Sequence, residues 1–140
     1  MDVKISATDP RIIAKRFAQA LDRCDFAEAG RYLSDDCCYQ TGHEEFVGPQ
    51  AILASYSGSA DWASQNLDQV IYESEIEGEG ANLSVLYIDK ITHGGQAHDY
   101  RCRQHLSINE AGVIFKIIHE ELPGEREKLN EFWTRCGIHR

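Results

Sequence analysis

At Leu67 the hydrophobic pattern of this chain changes period. Upstream, apolar residues recur at helical spacing: Ile13, Phe17, Ala20, Leu21 and Cys24 make one stripe, and Phe26, Ala29 and Leu33 the next. Downstream they alternate. Val70, Tyr72, Ser74 and Ile76 interleave with Ile71, Glu73, Glu75 and Glu77, the pattern of a strand with one wet face. Helices first and strands afterwards read as one α+β domain over residues 1–140, with a curved sheet wrapped around a pocket.

The boundaries follow from local chemistry. Asp9 is a good N-cap, and Pro10 suits the first helical position, where a missing N–H costs nothing. Asp25 with Glu28 resembles a capping box opening a second helix, which Ser34-Asp35-Asp36 closes. Cys37 to Thr41 then runs as a strand towards Phe46, and Gly48-Pro49 starts a third helix carrying Ile52, Leu53 and Tyr56. Ser57 to Asn66 is small and polar, either a loop or a broken helix around Trp62. Gly78-Glu79-Gly80 turns the chain, and Leu83 to Thr92 is apolar on both faces, as a central strand is. His93-Gly94-Gly95-Gln96 is a hairpin turn, and Asn109 to Gly112 joins a strand ending at Ile108 to one running from Val113 to Leu122. Glu125 to Cys136 is a last helix with Leu129, Phe132, Trp133 and Cys136 on one side.

Composition removes several functions. A net charge of −9 disfavours a nucleic-acid partner, which needs a basic face. No apolar run approaches the ~20 residues that cross a bilayer. Met1 to Ser6 lacks the apolar core of a secretion signal, so a cytoplasmic address is expected. The five cysteines (24, 37, 38, 102 and 136) have no C-x-x-C spacing and read as reduced, mostly buried thiols. His98 and His105 fall on opposite strand faces, and no H-x-x-x-H occurs, so neither a metal nor a cofactor is expected. P-loop, G-x-G-x-x-G and G-x-S-x-G motifs are absent as well.

Three stretches resemble the NTF2-like superfamily, in particular its SnoaL-like and ketosteroid-isomerase-like branch. They are Arg16-Phe17…Ala20-Leu21…Asp25-Phe26…Tyr32-Leu33-Ser34-Asp35-Asp36, Val47-Gly48-Pro49-Gln50-Ala51-Ile52…Tyr56, and Ile108-Asn109-Glu110-Ala111-Gly112. All are fold markers rather than catalytic signatures. The resemblance implies a cone: N-terminal helices packed on a strongly curved antiparallel sheet that encloses a pocket, often dimeric through the outer sheet face. It also implies three functional positions of the isomerase branch, and this chain departs from each. Thr41 stands in place of the catalytic aspartate, Phe17 in place of the oxyanion-binding tyrosine, and Gln104 in place of the second, protonated acid. Threonine cannot take a proton at neutral pH and phenylalanine cannot stabilise an oxyanion, so steroid isomerisation by that route is not expected.

Pairing the last two strands across Asn109 to Gly112 sets His119 opposite Cys102 and Ile117 opposite Gln104. Tyr100, Cys102, Gln104, Ile117 and His119 then share one face, which the resemblance turns towards the pocket; a slip of one residue reverses it. On that face His119 titrates nearest neutrality and is the candidate general base, with Gln104 orienting a substrate carbonyl; the competing reading is a buried, satisfied histidine. Cys102 reads as a packed hydrophobe without a partner that would make it a thiolate. Phe17, Tyr39, Thr41, Tyr56, Trp62, Tyr100, Cys102 and Ile117 are the candidate ligand contacts, with Trp62 placed at a loop-like rim. The outer face of the same strand carries Asp99, Arg101, Arg103 and His105, which read either as a solvated edge or as the polar part of a homodimer interface. The expected ligand is a small apolar or amphipathic molecule carrying a carbonyl or hydroxyl. The expected activity is cofactor-independent proton transfer of an isomerase, cyclase or dehydratase type, and the alternatives are non-catalytic binding or a dimeric interaction module with a closed pocket.

Overall fold

The computed structural model describes residues 9–140; the opening segment read above for a secretion signal lies outside the described residues. Helices α1 (Pro10–Asp22) and α2 (Phe26–Gly30) precede β1 (Leu33–Gln40), β2 (Glu45–Val47) and α3 (Pro49–Asn66). Four long strands follow, β3 (Gln69–Glu79), β4 (Asn82–His93), β5 (Gln96–Ile108) and β6 (Ile114–Glu121), and then α4 (Glu125–Cys136). The sheet order is β2-β1-β6-β5-β4-β3, antiparallel throughout except where β1 runs parallel to β6. This is an α+β fold with the N-terminal helices on one face of a curved six-stranded sheet.

Local chemistry sets the element ends. Asp9 Oδ1 accepts from the Arg11 amide at 3.0 Å, and Asp25 Oδ1 accepts from the Glu28 amide at 3.1 Å, each satisfying a donor that the first turn leaves unpaired. Gly48 enters α3 at φ +90°, a left-handed geometry costly to any side chain, and its N–H donates to the Cys37 carbonyl at 2.8 Å. That residue carries the chain from the edge strand β2 into α3.

Three sequence expectations shift. The second helix stops at Gly30 instead of running to Ser34, because Tyr32 and Leu33 are taken by the sheet: the Tyr32 carbonyl accepts from the Ile114 amide at 2.8 Å and Leu33 pairs with Ile114. Ser57 to Asn66 is neither a loop nor a broken helix but the second half of α3. The β5–β6 register is displaced by two residues, setting Gln104 opposite His119, Cys102 opposite Glu121 and Leu106 opposite Ile117. Val113 joins the turn, where Asn109 Oδ1 accepts from the Ala111 and Val113 amides, and Phe115 is extruded as a bulge between Ile114 and Lys116. An even displacement preserves the face, so Tyr100, Cys102, Gln104, Ile117 and His119 still lie on one side.

Two apolar clusters form the interior. One gathers α1 with Leu33, Cys37, Ile52, Val85, Leu106 and Ile117; the other gathers Ala63, Leu67, Ile91, Tyr100 and α4 through Leu129, Phe132 and Trp133. Phe132 and Trp133 therefore anchor α4. Cys37 alone of the five cysteines is fully buried; Cys24 is exposed and the rest are half-buried. On the outer sheet face, the charges considered above for a dimer interface find partners within the chain: Arg101 with Asp99 at 3.6 Å, Arg103 with Glu77 at 2.8 Å and His105 with Glu120 at 2.9 Å. Among the described residues no helix is long and apolar enough to cross a membrane.

Candidate functional site

Between the two clusters lies a cavity of about 440 Å³. The inner faces of β3, β4, β5 and β6 form its floor and walls, through Tyr72, Tyr87, Asp89, Tyr100, Cys102, Gln104 and His119. The second half of α3 roofs it with Ser55, Tyr56, Ser59, Ala60, Trp62 and Ala63. The small residues that disguised this helix in the sequence are the ones that leave room beneath it. An apolar stripe is unneeded where a helix faces space instead of core.

At one end, Gln104 is a hub. It is 4% exposed, and each polar atom of its amide is bonded. Tyr56 Oη donates to Gln104 Oε1 at 2.6 Å; Gln104 Nε2 donates to Tyr39 Oη at 3.0 Å and approaches His119 Nδ1 at 3.2 Å. Tyr39 and Tyr56 stack at 5.3 Å, and Phe17 meets Tyr56 edge-on at 6.2 Å. With the amide so oriented, the Nδ1 lone pair of His119 is occupied. Burial lowers the His119 pKa, more than the opposing pull of Glu121 raises it, so the ring is neutral at pH 7 and its proton sits on Nε2. The end presents two donors to the cavity, His119 Nε2–H and the Tyr39 hydroxyl. A general base at His119 would require the Gln104 amide to be turned over, and Gln104 itself has no amide proton left for a ligand.

The other end is acidic. Asp89 projects from β4 between Tyr72 of β3 and Tyr100 of β5, its register neighbours. Among the described residues, no donor or cation reaches its carboxylate. Burial first, and then the nearby Asp22, pushes its pKa up to about 6. Asp22, at the end of α1, accepts from Ser74 Oγ at 2.5 Å and is raised by burial in turn. Tyr87 shares this wall, and its buried hydroxyl has no hydrogen-bond partner among the described residues. The cations that line the cavity are engaged elsewhere: Arg126 with Glu121 and, at 3.4 Å, with Tyr100 Oη, and Arg140 over the Trp62 ring at 3.8 Å.

Of the residues singled out from the sequence, His119, Gln104, Tyr39, Tyr56, Trp62, Tyr100 and Cys102 all line this cavity. Trp62 does so from a helix, edge-on to Trp133 at 5.7 Å. Burial pushes the Cys102 thiol up to about 12, so it stays protonated. Three others are elsewhere. Phe17 and Ile117 are fully buried in the first cluster, behind the cavity wall. Thr41 is in the β1–β2 turn, where its Oγ1 accepts from the Glu44 amide at 2.9 Å. Asp89 and Asp22 were missed. The signal was present: Asp89 has the same parity as Tyr87 and Ile91 in a strand otherwise rich in apolar residues.

No protein-family model and no curated protein sequence matches the chain. Solved structures do. An NTF2-like protein of unknown function from Cytophaga hutchinsonii superposes with a TM-score of 0.61 at 14% identity, over 86% of this chain and 94% of that one. The fold is therefore the NTF2-like one. A protein from Shewanella denitrificans, provisionally described as a SnoaL-like polyketide cyclase, gives a TM-score of 0.65 at 11% identity over 88% of this chain and 97% of that one. AclR from Streptomyces galilaeus, a provisionally assigned hydroxylase, gives 0.66 at 14% identity over 91% and 95%. At identities this low the likeness shows the shared NTF2-like fold alone and leaves the chemistry to the site.

Proposed function

We propose that this chain is a small-molecule pocket protein of the SnoaL-like type, holding a mostly apolar molecule that carries a carbonyl or hydroxyl group. The observation that carries this reading is the Gln104 hub. It fixes Tyr39 and His119 so that two hydrogen-bond donors, without acceptors among the described residues, converge on one end of a cavity of ligand size. A ligand oxygen fits there. In the catalytic form of the reading, His119 exchanges a proton with that oxygen in a cofactor-independent isomerisation, cyclisation or dehydration, while Gln104 sets the tautomer.

Binding without turnover is the second reading. It is favoured by Phe17, Thr41 and Gln104 standing where the isomerase branch has an oxyanion donor and two acids, and by Thr41 being tied into a turn. An interaction module with a closed pocket is disfavoured by the volume of the cavity. The outer sheet face, with half-buried Leu86 and Ile88 and exposed Ile71 and Ile118, supports assembly as a homodimer.

Native mass spectrometry of freshly purified protein, compared with its denatured mass, tests the reading. The expected result is a pair of chains carrying one discrete small-molecule mass per chain, released on denaturation. A bare protein that also takes up no ring-bearing compound at millimolar concentration overturns it.

A further inference from the structure

The acidic end of the cavity has no use in the reading above. Asp89 is a half-buried carboxylate in the cavity wall, with no hydrogen-bond donor or cation on either oxygen among the described residues. The groups packed against it do not neutralise it. Asp22 from α1 adds a second negative charge, and Tyr72, Tyr100 and Cys102 from β3 and β5 hold their protons. Beside them, Tyr87 buries a hydroxyl that finds no partner among the described residues. Buried carboxylates are ordinarily paired, because desolvating one without a partner is costly. Folding has left this one unpaired in the wall of a ligand-sized cavity, while Arg126 and Arg140 are committed to Glu121 and Trp62.

We propose that this end of the cavity is the seat of a protonated amine. The ligand is an organic amine with an apolar or aromatic body: its ammonium group rests on Asp89, within the field of Asp22 and beside Tyr72, while Arg126 occupies the Tyr100 ring at 5.6 Å, and its oxygen lies at the Tyr39–His119 end. An ammonium group supplies the donors and the charge that Asp89 lacks, and tyrosine rings add cation–π attraction in a desolvated site. A neutral ligand leaves the carboxylate unpaired. An anionic one adds a third negative charge to the same end.

The inference rests on the pocket reading, and one experiment separates the two. Calorimetric titration at pH 7.5 compares 2-phenylethylamine, 2-phenylethanol and phenylacetate, which share a ring and differ in the charge of the terminal group. The amine is expected to bind at least about tenfold tighter than the alcohol, with the acid weakest. This ranking should survive roughly 0.5 M NaCl, because a buried pair is screened far less than a surface one. In Asp89→Asn, whose fold circular dichroism verifies, the amine should fall to the affinity of the alcohol. Equal binding of amine and alcohol by the native chain overturns the amine seat and leaves the pocket standing. So does a preference that vanishes in salt, or one that persists undiminished in Asp89→Asn. If none of the three probes binds, both readings fall.

Discussion

The two ends of the cavity are built on neighbouring strands and obey opposite rules. Around Gln104 the amide, two phenols and an imidazole form a closed set in which each group holds another in place. Around Asp89 a half-buried carboxylate and the Tyr87 phenol find no partner among the described residues, and Ser74 spends its hydroxyl on Asp22. Satisfied polar networks fix geometry and contribute to stability; unsatisfied ones cost stability and persist where a ligand or a reaction uses them. The contrast predicts that mutation at the first end destabilises the protein and mutation at the second steadies it.

The largest effect should come from the hub. Gln104→Leu keeps the volume but leaves Tyr39, Tyr56 and His119 without partners in a buried place. The expected loss is about 3 kcal/mol, since each stranded buried group costs about 1–3 kcal/mol. Urea denaturation with unchanged slope would measure it. A loss below about 1 kcal/mol would mean that the three rings are held by stacking alone, and the distinction between the two ends would fail.

Next comes the acidic end, with the opposite sign. The Asp89 carboxyl, near 3.8 when unfolded and raised to about 6 when folded, keeps its proton longer in the native state. Stability therefore declines as pH rises from about 4 to 6 and stays low above that window. Asp89→Asn removes the penalty. At pH 7.5 the variant should be more stable than the native chain by about 2 kcal/mol, and the gain should disappear at pH 4. Parallel thermal melts at the two pH values decide it, and a variant destabilised at pH 7.5 would show that Asp89 is paired after all.

The hub was partly readable in the sequence and the acidic end only faintly so, for physical reasons. Alternation along β5 put Tyr100, Cys102 and Gln104 on one face whatever the pairing, and a displacement of two residues in β6 could not undo that. That Gln104 meets His119 directly was hidden, because it depends on a bulge at Phe115 that no periodicity marks. Asp89 was passed over because Leu83 to Thr92 reads as a strand wanted by the core on both sides, and one polar residue does not break such a pattern. The roof was illegible for a related reason. Ser57 to Asn66 has no apolar stripe because it covers a cavity, and periodicity reports only the faces that fill space. The helix starts at Pro10 and Pro49, the hairpin at Gly94-Gly95 and the α4 anchor were readable because each is decided by neighbours in sequence.

The sharpest version of the comparison uses the smallest change, one oxygen atom removed from each end. Tyr56→Phe deletes the donor that Gln104 Oε1 accepts from at 2.6 Å, so a buried carbonyl loses its partner and the chain should lose about 1 kcal/mol. Tyr87→Phe deletes a buried hydroxyl with no partner among the described residues, which removes a desolvation cost without breaking a bond, so the chain should gain up to ~1 kcal/mol. Both variants keep their rings, so packing is matched and the difference in urea midpoint reports the two oxygens alone. Adding 2-phenylethylamine refines the test: if the amine fills the space beside Asp89 and Tyr87, its stabilising effect should shrink in Tyr87→Phe and be unchanged in Tyr56→Phe. Equal losses in the two phenylalanine variants would show that Tyr87 finds a partner in solution, and the acidic end would then be as closed as the hub.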